Sequence, residues 1–119
     1  MKIYVRGEKD ISPIATPIYG FAVITKDISG LDYDIWLDPA GKSRNTSHSN
    51  SPRLKVVVGR ERIPYSISNS PKMLVKNRAS IEHETDVLRW IAQNSNALLQ
   101  HYNLQINDKD ILNRVERLK

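Results

Sequence analysis

Residues 53–67 read RLKVVVGRERIPYSI. Leu54, Val56 and Val58 alternate with Arg53 and Lys55; after Gly-Arg-Glu, Ile63, Tyr65 and Ile67 alternate with Arg62, Pro64 and Ser66. A period of two is the signature of a β-strand, whose successive side chains point to opposite faces. The two halves therefore predict an antiparallel hairpin with one apolar face and one basic face. Such a hairpin is marginal in water by itself, so the chain must supply further elements to cover its apolar side. Pro64 has no N–H to give to a ladder, which places it at a sheet edge or a bulge.

The rest of the chain supplies that cover. KIYV (2–5), IYGFAVIT (18–25) and LDYDIWL (31–37) read as strands, and KMLV (72–75) as a short final one. In the third of these, Leu31, Tyr33, Ile35 and Leu37 alternate with Asp32, Asp34 and Trp36. KDISG (26–30) reads as a turn, and DPAGKSRNTSHSNSP (38–52) as a long polar loop. From Ser80, a good N-cap, a helix is predicted over 81–102, with Glu82, Glu84 and Asp86 at its positive end. Leu88, Ile91, Leu98, Leu99 and Tyr102, with Val87 and Trp90 beside them, form its apolar stripe. QNSN (93–96) is a weak helix former, so a kink or break is expected there. Asn107 caps a short C-terminal helix carrying Ile111, Leu112, Val115 and Leu118 on one face. Strands first and helices last predict an α+β domain spanning 1–119: an antiparallel sheet of about five strands in 1–78, then one long and one short helix in 79–119.

Charge is segregated along this frame. Residues 42–78 hold Lys42, Arg44, Arg53, Lys55, Arg60, Arg62, Lys72, Lys76 and Arg78 against one acid, Glu61, a local charge of +8. The remainder has nine bases and twelve acids, or −3. Soluble surfaces usually intersperse both signs, so this separation points to an anionic partner. Lysine and arginine on a strand face also discourage edge-to-edge association, the plainer account of the same residues.

The chemistry that can be read is sparse. No cysteine is present, which removes disulfides, thiolate nucleophiles and cysteine-based zinc sites. His48 sits in the polar loop; His83 and His101 read as exposed or capping, and none has metal-ligand spacing. Gly41-Lys42-Ser43 mimics the end of a phosphate loop, but Trp36 stands where its upstream glycine is required. Asp32 and Asp34 share a strand face and read as solvated. No cofactor or metal is implied. Tyr65 is the single aromatic within the basic hairpin, which gives little support for base stacking. No apolar run approaches the roughly 20 residues that cross a bilayer, and MKIYVRGEKD lacks a signal-peptide pattern, so the expectation is a cytoplasmic protein of bacterial or phage type.

Three stretches, in order, resemble the bacterial domain-of-unknown-function family numbered 4160: SPIATPIYGFAVI (12–24), SHSNSPRLKVVVGRERIPYSI (47–67) and VLRWIAQNSNALLQHYNLQINDKDILNRVERL (87–118). The second is similar to that family's His-x-Pro-Pro-His-x-His element running into a strand. Pro52 matches it, His48 stands one residue before its first histidine, Ser51 replaces its first proline, and Arg53 and Lys55 stand at its second and third histidines. The resemblance implies a small accessory protein in a toxin–antitoxin or mobile-element setting rather than a defined activity, and the histidine replacements turn the element from metal or acid–base chemistry toward anion contact.

These readings converge on a small basic, non-catalytic binding protein. Lys42, Arg44, His48, Arg53, Lys55, Arg60 and Arg62 form its expected surface, and an acidic protein or a nucleic-acid backbone its expected partner. One alternative is a ribonuclease-like toxin in which Arg53, Lys55, Arg60 and Arg62 hold phosphates and His48 or Tyr65 moves a proton. Another is an inhibitor or antitoxin-like interaction module. Pro64 and the short KMLV strand suggest an open sheet edge through which two copies could pair.

Overall fold

The computed structural model describes residues 22–37 and 52–119. The strand expected at 2–5, the start of that expected at 18–25, and most of the polar loop lie outside the described residues. Within them the chain is α+β, with a four-stranded antiparallel sheet in sequential order: β1 (Ala22–Ile24), β2 (Asp34–Leu37), β3 (Arg53–Val58) and β4 (Glu61–Ser66). Four helices accompany it: α1 (Lys26–Ser29), α2 (Glu84–Gln93), α3 (Ser95–Tyr102) and α4 (Asp108–Arg114).

The hairpin forms where the alternation places it, with a tighter turn than Gly-Arg-Glu. Val58 pairs with Glu61, leaving Gly59 and Arg60 as a two-residue connection. Gly59 has φ +60° and Arg60 does not, which is the type II′ arrangement that needs glycine first. The register then sends Leu54, Val56, Ile63 and Tyr65 inward, all at most 2% exposed. Ala22, Ile24, Ile35 and Leu37 extend this inner face across β1 and β2. Val87, Trp90, Ile91, Leu98, Tyr102 and Ile111 belong to the same core, so the helices cover one side of the sheet.

Among the described residues the sheet has four strands rather than about five, and KMLV is not one of them. Met73 makes a single bridge to Tyr65. Ser66 donates to the Lys72 carbonyl at 2.9 Å, and the Leu74 N–H donates to Pro64 O at 2.9 Å. Pro64 has nothing to donate in return, so the ladder stops there. Pro64 does lie on an edge strand, but the edge around it is occupied by the chain's own residues 72–74, and that stretch offers no open seam for a second copy.

KDISG, expected as a turn, contains one turn of helix, α1, closed by Gly30 at φ +80°. The helix expected at 81–102 is two helices, and the break falls at Asn94, within the QNSN stretch expected to kink or break it. Asn94 is buried, and its side chain explains the break. Its Nδ2 donates to Trp90 O at 3.0 Å and to Glu116 O at 3.1 Å, while its Oδ1 accepts from Glu116 N at 2.7 Å. The Leu118 N–H then donates to Ser29 O at 2.8 Å, tying the segment after α4 to α1. Ser80 does not cap α2, which starts after His83. Asn107 caps α4 as expected, in a reciprocal capping box with Asp110.

Helix α3 ends in a Schellman motif: Gln105 N donates to Gln100 O and Leu104 N to His101 O. The left-handed position that glycine normally fills is taken by Leu104, at φ +64° and 56% exposed. Leu104→Gly is therefore expected to stabilise the protein by about 1 kcal/mol, because the strain relieved exceeds the little packing lost. Urea unfolding of the two proteins measures this; a variant less stable than the wild type would contradict it.

Candidate functional site

The side of the sheet opposite the core carries the basic residues. One row across it runs Val23, Trp36, Lys55 and Pro64; the next runs Asp34, Val57 and Arg62. Arg53 follows Lys55 on the same side, opposite Ser66. Alternate residues of one strand lie about 7 Å apart, so Arg53 and Lys55 form a short line of positive charge. Arg62, on β4, reaches over β3 to Trp36, on β2, a span of about 10 Å between strands. Its guanidinium carbon sits 3.9 Å from the ring centroid. This cation–π contact organises the face: the guanidinium sits over the aromatic ring, and Lys55 is the residue paired with Trp36 on the neighbouring strand.

Of the seven residues expected to form the binding surface, Arg53, Lys55 and Arg62 come together here. Arg60 stands exposed in the hairpin turn. Lys42, Arg44 and His48 lie outside the described residues. The remainder of the basic run divides. Lys72 and Lys76 are exposed beyond the β4 edge, while Arg78 pairs with Glu61 at 2.7 Å and so absorbs the run's one acid. Trp36 is the member of this face that the sequence reading passed over. Its place among the outward residues of 31–37 was legible; its pairing with Lys55 depends on how β2 meets β3.

Tyr65, the aromatic expected beside the basic residues, is on the other side. It is fully buried, and its hydroxyl donates to Glu84 Oε2 at 2.7 Å. Burial, and then the hydrogen bond and charge of Glu84, hold its pKa well above the usual tyrosine value. A tyrosine so placed cannot move a proton on the basic face, and the ribonuclease-like alternative is left with His48.

The other two histidines are both engaged. His83, expected as an exposed or capping residue, is exposed and precedes α2 at φ +58°. It makes no side-chain cap; its Nδ1 lies 2.5 Å from Asp32 Oδ2 instead. Tyr33 reinforces the same junction by donating to Glu82 O at 2.6 Å. His101 is not exposed but buried, with Nε2 2.7 Å from Asp108 Oδ1. Its spacing from Leu98 puts it on the inward stripe of α3, a signal the sequence did contain. Asp32 and Asp34 do not act as a carboxylate pair, since Asp32 is held by His83 and Asp34 belongs to the outer face.

Among the described residues no group of three or more histidines, cysteines or carboxylates is placed to hold a metal ion. A groove of about 260 Å³ beside β4 is lined by Met73, Val75, Arg78, Glu84 and Leu88. It falls short of the roughly 300–1,000 Å³ of small-molecule pockets, and Arg78 is already committed to Glu61. The basic face of the sheet is the stronger candidate. No protein-family model, curated protein or solved structure matches the chain.

The His83–Asp32 pair makes stability depend on pH. The hydrogen bond that His83 donates to the Asp32 carboxylate, and then that carboxylate's charge, raise the histidine pKa above its ordinary value of about 6.5. A raised histidine pKa stabilises the fold fully below the unfolded value, and the contribution is lost as pH rises through the folded one. His83→Gln is therefore expected to lower the melting temperature at about pH 5.5 and to do so much less at about pH 8.5. Thermal melts at the two pH values measure this; an equal deficit at both would contradict it.

Proposed function

We propose that this chain is a small, non-catalytic nucleic-acid-binding protein, and that the outer face of its sheet contacts the phosphate backbone. The observation that carries the reading is the convergence of Arg53, Lys55 and Arg62 on one side of the sheet, with the core wholly on the other. Two arginines favour phosphate, because the guanidinium fork offers paired donors to phosphate oxygens. The strand spacing of Arg53 and Lys55 is comparable with the separation of successive phosphates along an extended strand. The surrounding run of basic residues, Arg60, Lys72 and Lys76 included, adds long-range attraction.

The resemblance to the family numbered 4160 suggests the setting: an accessory module of toxin–antitoxin or phage–host conflict type, acting in the cytoplasm where nucleic acid is met. Among the described residues no helix is long and apolar enough to cross a membrane.

Salt dependence tests the proposal. Each phosphate contact releases counterions, so the logarithm of affinity should fall linearly with the logarithm of salt concentration. Arg53→Ala, Lys55→Ala and Arg62→Ala should each weaken binding to a labelled oligonucleotide and flatten that slope by about one. Undetectable oligonucleotide binding at low salt would overturn the reading, as would slopes unchanged in all three variants. Recovery of a stoichiometric acidic protein partner with no nucleic-acid binding would transfer the same face to protein recognition.

A further inference from the structure

Phosphate contact alone does not distinguish a duplex from a single strand; the ring on the basic face does. We propose that Trp36 is a base-stacking platform and that the partner is therefore single-stranded nucleic acid. The inference rests on the phosphate-binding reading of the same face and specifies its ligand.

Trp36 lies in the middle of the outer face, between Val23 on β1 and Lys55 on β3. Flat sheets with an aromatic ring among cations bind single strands in a general way: bases stack on the ring while the backbone follows the charges. In a duplex the bases are already stacked on one another, and a ring on the face of a sheet cannot reach their faces. Trp36 also already holds a planar group, for the guanidinium of Arg62 lies over it at 3.9 Å. A nucleobase is likewise planar and polarisable, and can share or replace that position. When it replaces it, Arg62 swings to the phosphate beside the stacked base, so one displacement makes two contacts. Arg62 is exposed and bound through its tip, so this movement requires no change in the strand.

The chain contains two tryptophans, which gives the proposal a direct readout. Trp90 is fully buried in the core on the other side of the sheet. Quenching caused by a base stacked on the protein therefore reports Trp36. The experiment titrates the wild-type protein with an oligothymidylate of about 12 nucleotides, within the usual span of such platforms. An abasic deoxyribose-phosphate strand of the same length and a duplex of the same length are compared with it. The expected result is tryptophan quenching by the base-bearing single strand alone, and affinity for it about tenfold above that for the abasic strand. Trp36→Ala, with folding checked by circular dichroism, should bring that ratio close to one. Equal, salt-dependent binding of base-bearing and abasic strands would overturn the stacking proposal and leave phosphate recognition standing. A duplex bound more tightly than the single strand would also overturn it. No binding of any of the three would overturn both.

Discussion

A slip of one residue of β4 against β3 would invert β4 alone. Ile63 and Tyr65 would turn to water, and Arg62 would turn toward the core side of the sheet. Losing two core side chains and burying an unpaired guanidinium costs a large part of the stability of a domain of this size, so the register is held by its consequences. Gly59 fixes the same register locally, because a two-residue turn with glycine first brings Val58 opposite Glu61. Local turn chemistry and global burial agree. Everything on the outer face, including the contact between Arg62 and Trp36, depends on that agreement.

The helical layer packs on the sheet through the shared apolar core, and polar contacts at its ends set its position. Before α2, Tyr33 holds Glu82, Tyr65 holds Glu84 and Asp32 holds His83. After α4, the Asn94 side chain grips both backbone groups of Glu116, and Leu118 bonds to Ser29. The bonds to backbone groups among these contribute about 1 kcal/mol each net. Their larger effect is positional: they fix where α2 begins and where it breaks. The core side of the sheet is thereby closed, and the basic residues of β3 and β4 stand on its other side.

What could be read from the sequence follows from which forces are local. The hairpin, the inward set at 31–37 and the Asn107 cap were legible because period-two alternation and capping act over a few residues. The inward position of Tyr65 followed from the same alternation, although it was weighed as an aromatic of the basic surface. The start of α2 was not legible. Ser80 is the better cap by propensity, but the tertiary bonds to Glu82, His83 and Glu84 override it. The fate of KMLV turned on the donor missing from Pro64 on a strand that only the fold reveals as an edge. At the candidate site, Arg53, Lys55 and Arg62 could be assigned to one face from the hairpin alone. The approach of Trp36 to them required the β2–β3 register, set by strands separated by the long polar stretch at 38–52.

The central claim is that nucleic acid lies on the outer face of the sheet. Its most direct test is to map backbone amide shifts by nuclear magnetic resonance while a single-stranded oligonucleotide is added. The account predicts changes concentrated at Val23, Trp36, Arg53, Lys55, Val57 and Arg62, together with the Trp36 indole N–H, and little change along α2, α3 and α4. Changes confined to the helical layer, with the sheet amides unmoved, would contradict it.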